Sequence, residues 1–289
     1  MKRKIIAITV LILYTLVIGL DCSVYADDNE KVVVLVYHHL LKDSENKNKI
    51  NAAIVSVENF EKQMKYLHNN GYKTITIQAL NNYLKYGKSL PKKSVLITFD
   101  DGYKSNYVYA YPILKKYNFK ASIFMITGSI PDIPQPFNPN RLSFMSKGEI
   151  VKSKDVFEFA CHTHSLHKLE KNRKSALLNS EKKTIAKDLR MSKQLIYTKF
   201  FAYPHGQYNK HIKNILKEEG FELAFTVKKG SVSKQSNRFE LNRVPIFYNT
   251  SIYEFKKILN GYKEWRKLCT IVTIKKLKIK NIFDMVEMV

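Results

Sequence analysis

The sequence predicts an α/β fold in which a parallel sheet closes into a distorted (β/α) barrel. Three observations carry this expectation. Short apolar runs fit for buried parallel strands recur along the chain. Helical segments of about 10 residues or more stand between them, as crossover connections require. The 289 residues suffice for one α/β barrel of roughly 200–250 residues, or for two small domains.

The elements follow in order. Val32 to Tyr37 is a continuous apolar strand. Ser56 serves as N-cap for a helix carrying Phe60, Met64, Tyr66 and Leu67, with Gly71 as the stop. Lys73 to Ile77 alternates as a strand, and Ser94 to Phe99 is a second buried run. A helix from Asn106 to Tyr117 holds Pro112 near its middle, a kink or a restart. Ala121 to Ile126 is a strand. Pro131, Pro134, Pro136 and Pro139 mark residues 128–147 as an irregular insertion near one end of the fold. Val156 to Ala160 is a short strand, and Lys174 to Tyr197 reads as one long helix. Phe200 to Tyr203, Glu222 to Thr226 and Asn242 to Phe247 complete the strands, with helices over Asn209 to Glu219 and Ile252 to Leu259. No internal repeat is evident.

The ends differ from the middle. Lys2, Arg3 and Lys4 precede an uncharged stretch from Ile5 to Leu20, and Val24-Tyr25-Ala26 offers a cleavage site. Residues 1–26 therefore read as a signal peptide of a secreted, cell-surface protein. The alternatives are an uncleaved membrane anchor and, against the acidic Asp21, a lipid on Cys22. Residues 27–262 form the predicted domain. Residues 263–289 mix apolar residues with lysine, as surface-binding or packing segments do.

Composition narrows the function. Hydrophobic residues make up 45% and aromatics 12%, enough for a packed core. Three cysteines exclude a disulfide scaffold, and a mature chain would keep only Cys161 and Cys269, paired or free. The net charge is +24, and removal of Lys2, Arg3, Lys4 and Asp21 lowers it by two, to +22. Such a chain is drawn to anionic surfaces, with wall polymers, anionic lipid headgroups and nucleic acid as candidates that charge alone does not separate, and a lysine-rich solvated surface is the plainer reading. No nucleic-acid motif accompanies the charge, so nucleic acid is not an expected partner.

The motifs sit after strands. Asp100 and Asp101 precede Gly102 at the end of a buried run. Neighbouring strand residues point to opposite faces, so both carboxylates reach one site only where the backbone turns, which Gly102 permits. One acid can bind a cation while the other stays free as a base; the plainer alternative is a helix N-cap. His162, His164 and His167 fall within six residues after another strand. Two imidazoles and one carboxylate leave open positions on a divalent ion, as hydrolytic sites do. Zn²⁺ suits these donors, as do Co²⁺, Ni²⁺ and Fe²⁺. Histidines on a solvated loop are the alternative. Tyr203-Pro204-His205-Gly206 forms a tight turn able to aim the His205 N–H at an oxyanion. His38 ends the first strand, where a histidine suits a general acid.

Thr98 to Gly102, then Tyr111 to Tyr117, then Ala121 to Met125 resemble the polysaccharide deacetylase family, carbohydrate esterase family 4, over roughly residues 30–250. The resemblance implies Asp100 as catalytic base and Asp101, His162 and His167 as ligands of one divalent ion. The His162–His167 spacing is one residue longer than the common version. With the Tyr37-His38 strand at the start, it resembles the branch acting on poly-β-1,6-N-acetylglucosamine. Two departures stand out. Ala202 and His205 occupy positions where the family carries arginine and an aromatic, so the arginine orienting the base must come from elsewhere, with Arg243 as candidate. The late histidine of the family is missing, since none follows His211, and His38 takes the acid role. That order implies a circularly permuted barrel. The resemblance thus implies a secreted, monomeric, metal-dependent N-deacetylase of an exopolysaccharide. Peptidoglycan or chitin-like glycans are alternative substrates, and a non-catalytic wall-binding protein is the rival from another class.

Overall fold

The computed structural model describes residues 31–46 and 51–260. Residues 1–26, Cys269 and the segment 263–289, on which several expectations fall, lie outside the described residues.

The chain opens with β1 (Val32–Tyr37), β2 (His39–Leu41) and β3 (Ile54–Ser56), then α1 (Val57–Asn69), β4 (Lys73–Thr74) and α2 (Ile77–Tyr86). Next come β5 (Ser94–Asp101), a π-type turn over Asn106–Ala110, α3 (Tyr111–Lys116), β6 (Ala121–Met125) and α4 (Lys147–Lys152). β7 (Phe157–Cys161), α5 (Ala176–Asn179), α6 (Lys182–Ile196), β8 (Phe200–Ala202) and α7 (Lys210–Glu218) follow. β9 (Leu223–Phe225), β10 (Ser231–Val232), β11 (Val244–Pro245) and α8 (Ile252–Leu259) complete it.

The main sheet runs β10-β1-β5-β6-β7-β8-β9. From β1 to β9 every pairing is parallel, while β10 lies antiparallel on the start of β1. Leu241 bridges Phe225 in parallel, and a few residues later Val244 pairs with Leu35. The segment from Leu241 to Ile246 therefore runs between the last strand and the first. It curls the sheet into the expected barrel-like form. Val34, Leu96, Phe124, Ala202 and Phe225 fill the inner face, with Phe124 and Phe225 rings 5.3 Å apart. Leu35, Ile97, Phe99 and Ile123 alternate with these and pack outward under the helices.

Several expected elements change. Lys73 to Ile77 holds a strand only to Thr74; Thr76 then caps α2 by accepting from Ala79 N at 3.1 Å. Glu158 also accepts from Ile77 N and Gln78 N, at 2.6 and 3.1 Å. The alternation of Lys73 to Ile77 hid a helix whose start is held from 80 residues away. Pro112 marks a restart, with the π-type turn before it and α3 beginning at Tyr111. The long helix over Lys174 to Tyr197 is two: Ser180 and Glu181 are extended, and Ser180 Oγ donates to Ala176 O. The last strand shrinks to Val244–Pro245. Residues 130–146 are irregular, as expected, and lie along the Asp100–Lys104 turn through Met145 N to Gly102 O and Lys104 N to Ser143 O.

Candidate active site

The sheet register explains why the motifs meet. Asp101 lies opposite Met125, Met125 opposite Cys161, and Cys161 opposite Phe201. The residues at and just beyond this row share one end of the barrel. A cleft of about 330 Å³ opens there, lined by His38, His39, Asp100, Asp101, Tyr103, His162, His167, His205 and Gly206, among others.

Asp101 has φ 72° and Gly102 φ 79°. The turn thus begins one residue earlier than the glycine, in a left-handed conformation that Asp tolerates better than most residues. It brings the Asp101 carboxylate round to the cleft that Asp100 already faces. A Cβ on Gly102 would lie 2.5 Å from Met125 Sδ and displace the end of that side chain, while the left-handed turn itself favours glycine.

Asp100 is buried and clamped by Arg243. Nη1 donates to Oδ1 at 2.6 Å and Nη2 to Oδ2 at 2.7 Å. Arg243 is fully buried inside the barrel, with Nε donating to Thr226 O at 2.9 Å and its guanidinium 5.2 Å from the Phe124 ring centroid. Burial by itself would raise the Asp100 carboxyl. The Arg243 guanidinium outweighs it, with help from His162, and holds the group well below the usual carboxylate range. Asp100 is therefore ionised and fixed in orientation.

Asp101, His162 and His167 form the second cluster. Nε2 of His167 lies 3.2 Å and Nε2 of His162 3.6 Å from Asp101 Oδ1. His162 Nδ1 donates to Ala202 O at 2.8 Å, which leaves Nε2 its lone pair. Burial lowers both imidazoles to about 4, so both are neutral at pH 7. Asp101 Oδ1 is buried without a hydrogen-bond partner. One donor atom from each residue lies within 4.8 Å of the others. An orphaned carboxylate oxygen facing two neutral imidazoles fits a divalent ion.

His38 lines the same cleft, half-buried, with its carbonyl accepting from Asn106 Nδ2 at 2.8 Å. His39 beside it is buried and shares a hydrogen bond with Ser105 Oγ at 2.8 Å. His205 sits at φ 54°, ψ 16°, and its Nε2 donates to His167 O at 2.8 Å. Gly206 N and Gln207 N close the turn on Tyr203 O and Pro204 O. A Cβ on Gly206 would meet Val227 Cγ2 at 2.3 Å. Beside the turn, a hairpin over residues 168–175 carries Lys168, Lys171, Arg173 and Lys174 against Glu170, all exposed. It is tied there by Ser175 N to Gln207 Oε1 and Gln207 Nε2 to Arg173 O.

Every site residue expected from the sequence is thus in one place. Six line the cleft and Arg243 stands behind Asp100. Cys161 is a free, buried thiol that burial pushes up to about 12, too high for a nucleophile. Sequence reasoning gave no role to His39, Tyr103 or Asp188. The first two adjoin recognised motifs. Asp188 lies on the buried stripe of α6 with Ile185, Leu189 and Ser192, where a carboxylate signals a buried partner.

A family model described as polysaccharide deacetylase matches residues 87–224. That span holds Asp100, Asp101, His162, His167 and His205 but neither His38 nor Arg243. The poly-beta-1,6-N-acetyl-D-glucosamine N-deacetylase of Staphylococcus aureus is 36% identical over 200 residues, covering 66% of this chain and 67% of that protein. Among solved structures, the deacetylase PplD of Streptococcus pyogenes, in complex with acetate, aligns with TM-score 0.68 and 26% identity, over 79% of this chain and 98% of that one. IcaB from Ammonifex degensii gives 0.66 and 27%, over 80% and 97%.

Proposed function

The chain belongs to the polysaccharide deacetylase family, hydrolases of amide bonds, and from that premise we propose that it deacetylates N-acetylglucosamine units of poly-β-1,6-N-acetylglucosamine outside the cell. The observation that carries the chemistry is the assembly of Asp100, Asp101, His162 and His167 in one cleft with Arg243 clamping Asp100. What supports the substrate is the 36% identity to the Staphylococcus aureus enzyme named for that polymer.

Asp101, His162 and His167 would hold one divalent ion, with Zn²⁺ the best match to the donors. Bound there, it supplies Lewis acidity toward the acetamide carbonyl and makes water easier to ionise. Asp100 takes the proton of the attacking water, and Arg243 keeps it ionised and aimed. The His205 N–H, left over when Gly206 and Gln207 close the turn, donates to the developing oxyanion. His38, at the cleft wall, gives a proton to the departing amine. Acetate and a cationic glucosamine unit result.

Residues 1–26 direct export, and the basic chain stays near anionic wall polymers. The cationic product then adheres to the same surfaces, as a biofilm polymer would. The test is acetate release from the β-1,6 polymer by purified protein, with chelation and metal add-back. Release that stops on chelation, returns with Zn²⁺ and vanishes in Asp101→Ala supports the reading. Release from a β-1,4-linked chitin or peptidoglycan substrate instead would reassign the substrate. No release from any acetylated glycan by folded, metal-loaded protein would leave a wall-binding protein.

A further inference from the structure

The two metal histidines are separated by four residues of loop, and one buried carboxylate outside the cleft accepts three hydrogen bonds from it. Asp188 stands on α6, 4% exposed. Its Oδ1 accepts from His164 N at 2.7 Å. Its Oδ2 accepts from Ser165 N at 2.7 Å and Ser165 Oγ at 2.8 Å. Thr163 between them and His162 has φ 72°, so the chain reverses directly after the first histidine. The two N–H groups released by that reversal both point at Asp188.

The other side of the loop is held by backbone and by Thr127 Oγ1, 3.0 Å from His164 Nδ1. Thr127 N donates to Thr163 O at 3.0 Å and Gly128 N to His164 O at 2.9 Å. A Cβ on Gly128 would lie 2.4 Å from His164 O. The loop is thus gripped between a carboxylate and a close-packed turn. A buried carboxylate is costly unless its lone pairs are filled. Here all three donors come from the loop and none from its own helix. Carboxylate and loop can each be satisfied only when the other is in place.

Resting on the metal-dependent deacetylase reading, we propose that Asp188 is a positioning residue of the metal centre. Its carboxylate fixes the 163–165 turn and so sets the distance between His162 and His167. Groups that orient metal ligands through hydrogen bonds typically change metal affinity by about 10–100-fold, and Asp188 orients them through the loop backbone. A residue serving only general stability would not move that affinity.

The experiment is metal titration of purified full-length protein with Zn²⁺ against a chromophoric chelator, alongside the thermal midpoint of the metal-free protein. Asp188→Asn presents an amide N–H₂ to at least one loop donor and should weaken Zn²⁺ binding by about 10-fold or more. Ser165→Ala removes one of the three bonds, leaves the carboxylate, and should give a smaller loss in the same direction. It keeps the test alive should Asp188→Asn fail to fold. Wild-type affinity in folded Asp188→Asn, or in Ser165→Ala where only that folds, would overturn the proposal even if the midpoint fell. If wild type itself bound no Zn²⁺, the metal-dependent reading would fail, a separate outcome.

Discussion

Arg243→Met tests the centre of the site. The substitution keeps an apolar stem against Phe124 but removes both bonds to Asp100 and the bond to Thr226 O. Asp100, 3% exposed, is then a buried carboxylate without a cation. Breaking one side of a buried pair costs about 3–5 kcal/mol. For a domain of this size each kcal/mol is roughly 2–4 °C, so the midpoint should fall by about 6–20 °C. The sign with pH follows from the shift. In wild type the Asp100 carboxyl lies below its ordinary value of 3.8. Its contribution is present above that value and is lost as pH falls through the folded one. In the variant, burial loses its main counterweight and raises the carboxyl relative to wild type, so the penalty grows as pH rises. The gap between the two proteins should therefore be largest near pH 7 and narrow towards pH 3. The assay is thermal unfolding of chelator-treated protein across that range. Arg243→Lys, a point charge rather than a fork, should recover part of the loss. A gap independent of pH, or an unchanged midpoint at pH 7, would refute the reasoning.

Three further outcomes are expected. His38→Gln should lower kcat by about 10²–10⁴-fold with little change in the thermal midpoint, since the side chain is half-buried at the cleft wall; unchanged kcat would remove it from the acid role. Gly206→Ala puts a Cβ 2.3 Å from Val227 Cγ2 at φ +69° and should lower both midpoint and kcat/KM; a neutral result would mean that Val227 moves freely. Lys168, Lys171, Arg173 and Lys174 stand on the hairpin tied to the His205 turn and should repel the cationic product of the proposed reaction. The final degree of deacetylation should rise with salt, because the screening length shortens to about 8 Å at 0.15 M; a plateau indifferent to salt would count against that repulsion.

The chemistry was legible because it is local. Asp100, Asp101, His162 and His167 belong to short motifs after apolar strands, and a parallel sheet places strand ends together whatever its exact size. The mistakes share a cause too. Lys73 to Ile77 alternates like a strand, yet Thr76 and the distant Glu158 start a helix there. Ser180 divides what periodicity joined, through a bond to Ala176 O. In both places a polar side chain settled the backbone, and hydrophobic period does not register such bonds.

By itself, then, the sequence determined the strand–helix alternation, the acid pair, the histidine loop and the family. Only the tertiary structure decided that Arg243 meets Asp100, 143 residues away, that the segment after Leu241 returns the sheet to β1, and that Asp188 grips the histidine loop from α6. The physical reason is that periodicity and motif spacing report what neighbours along the chain can do. Pairing of a buried charge depends on which distant group the closed sheet carries to it.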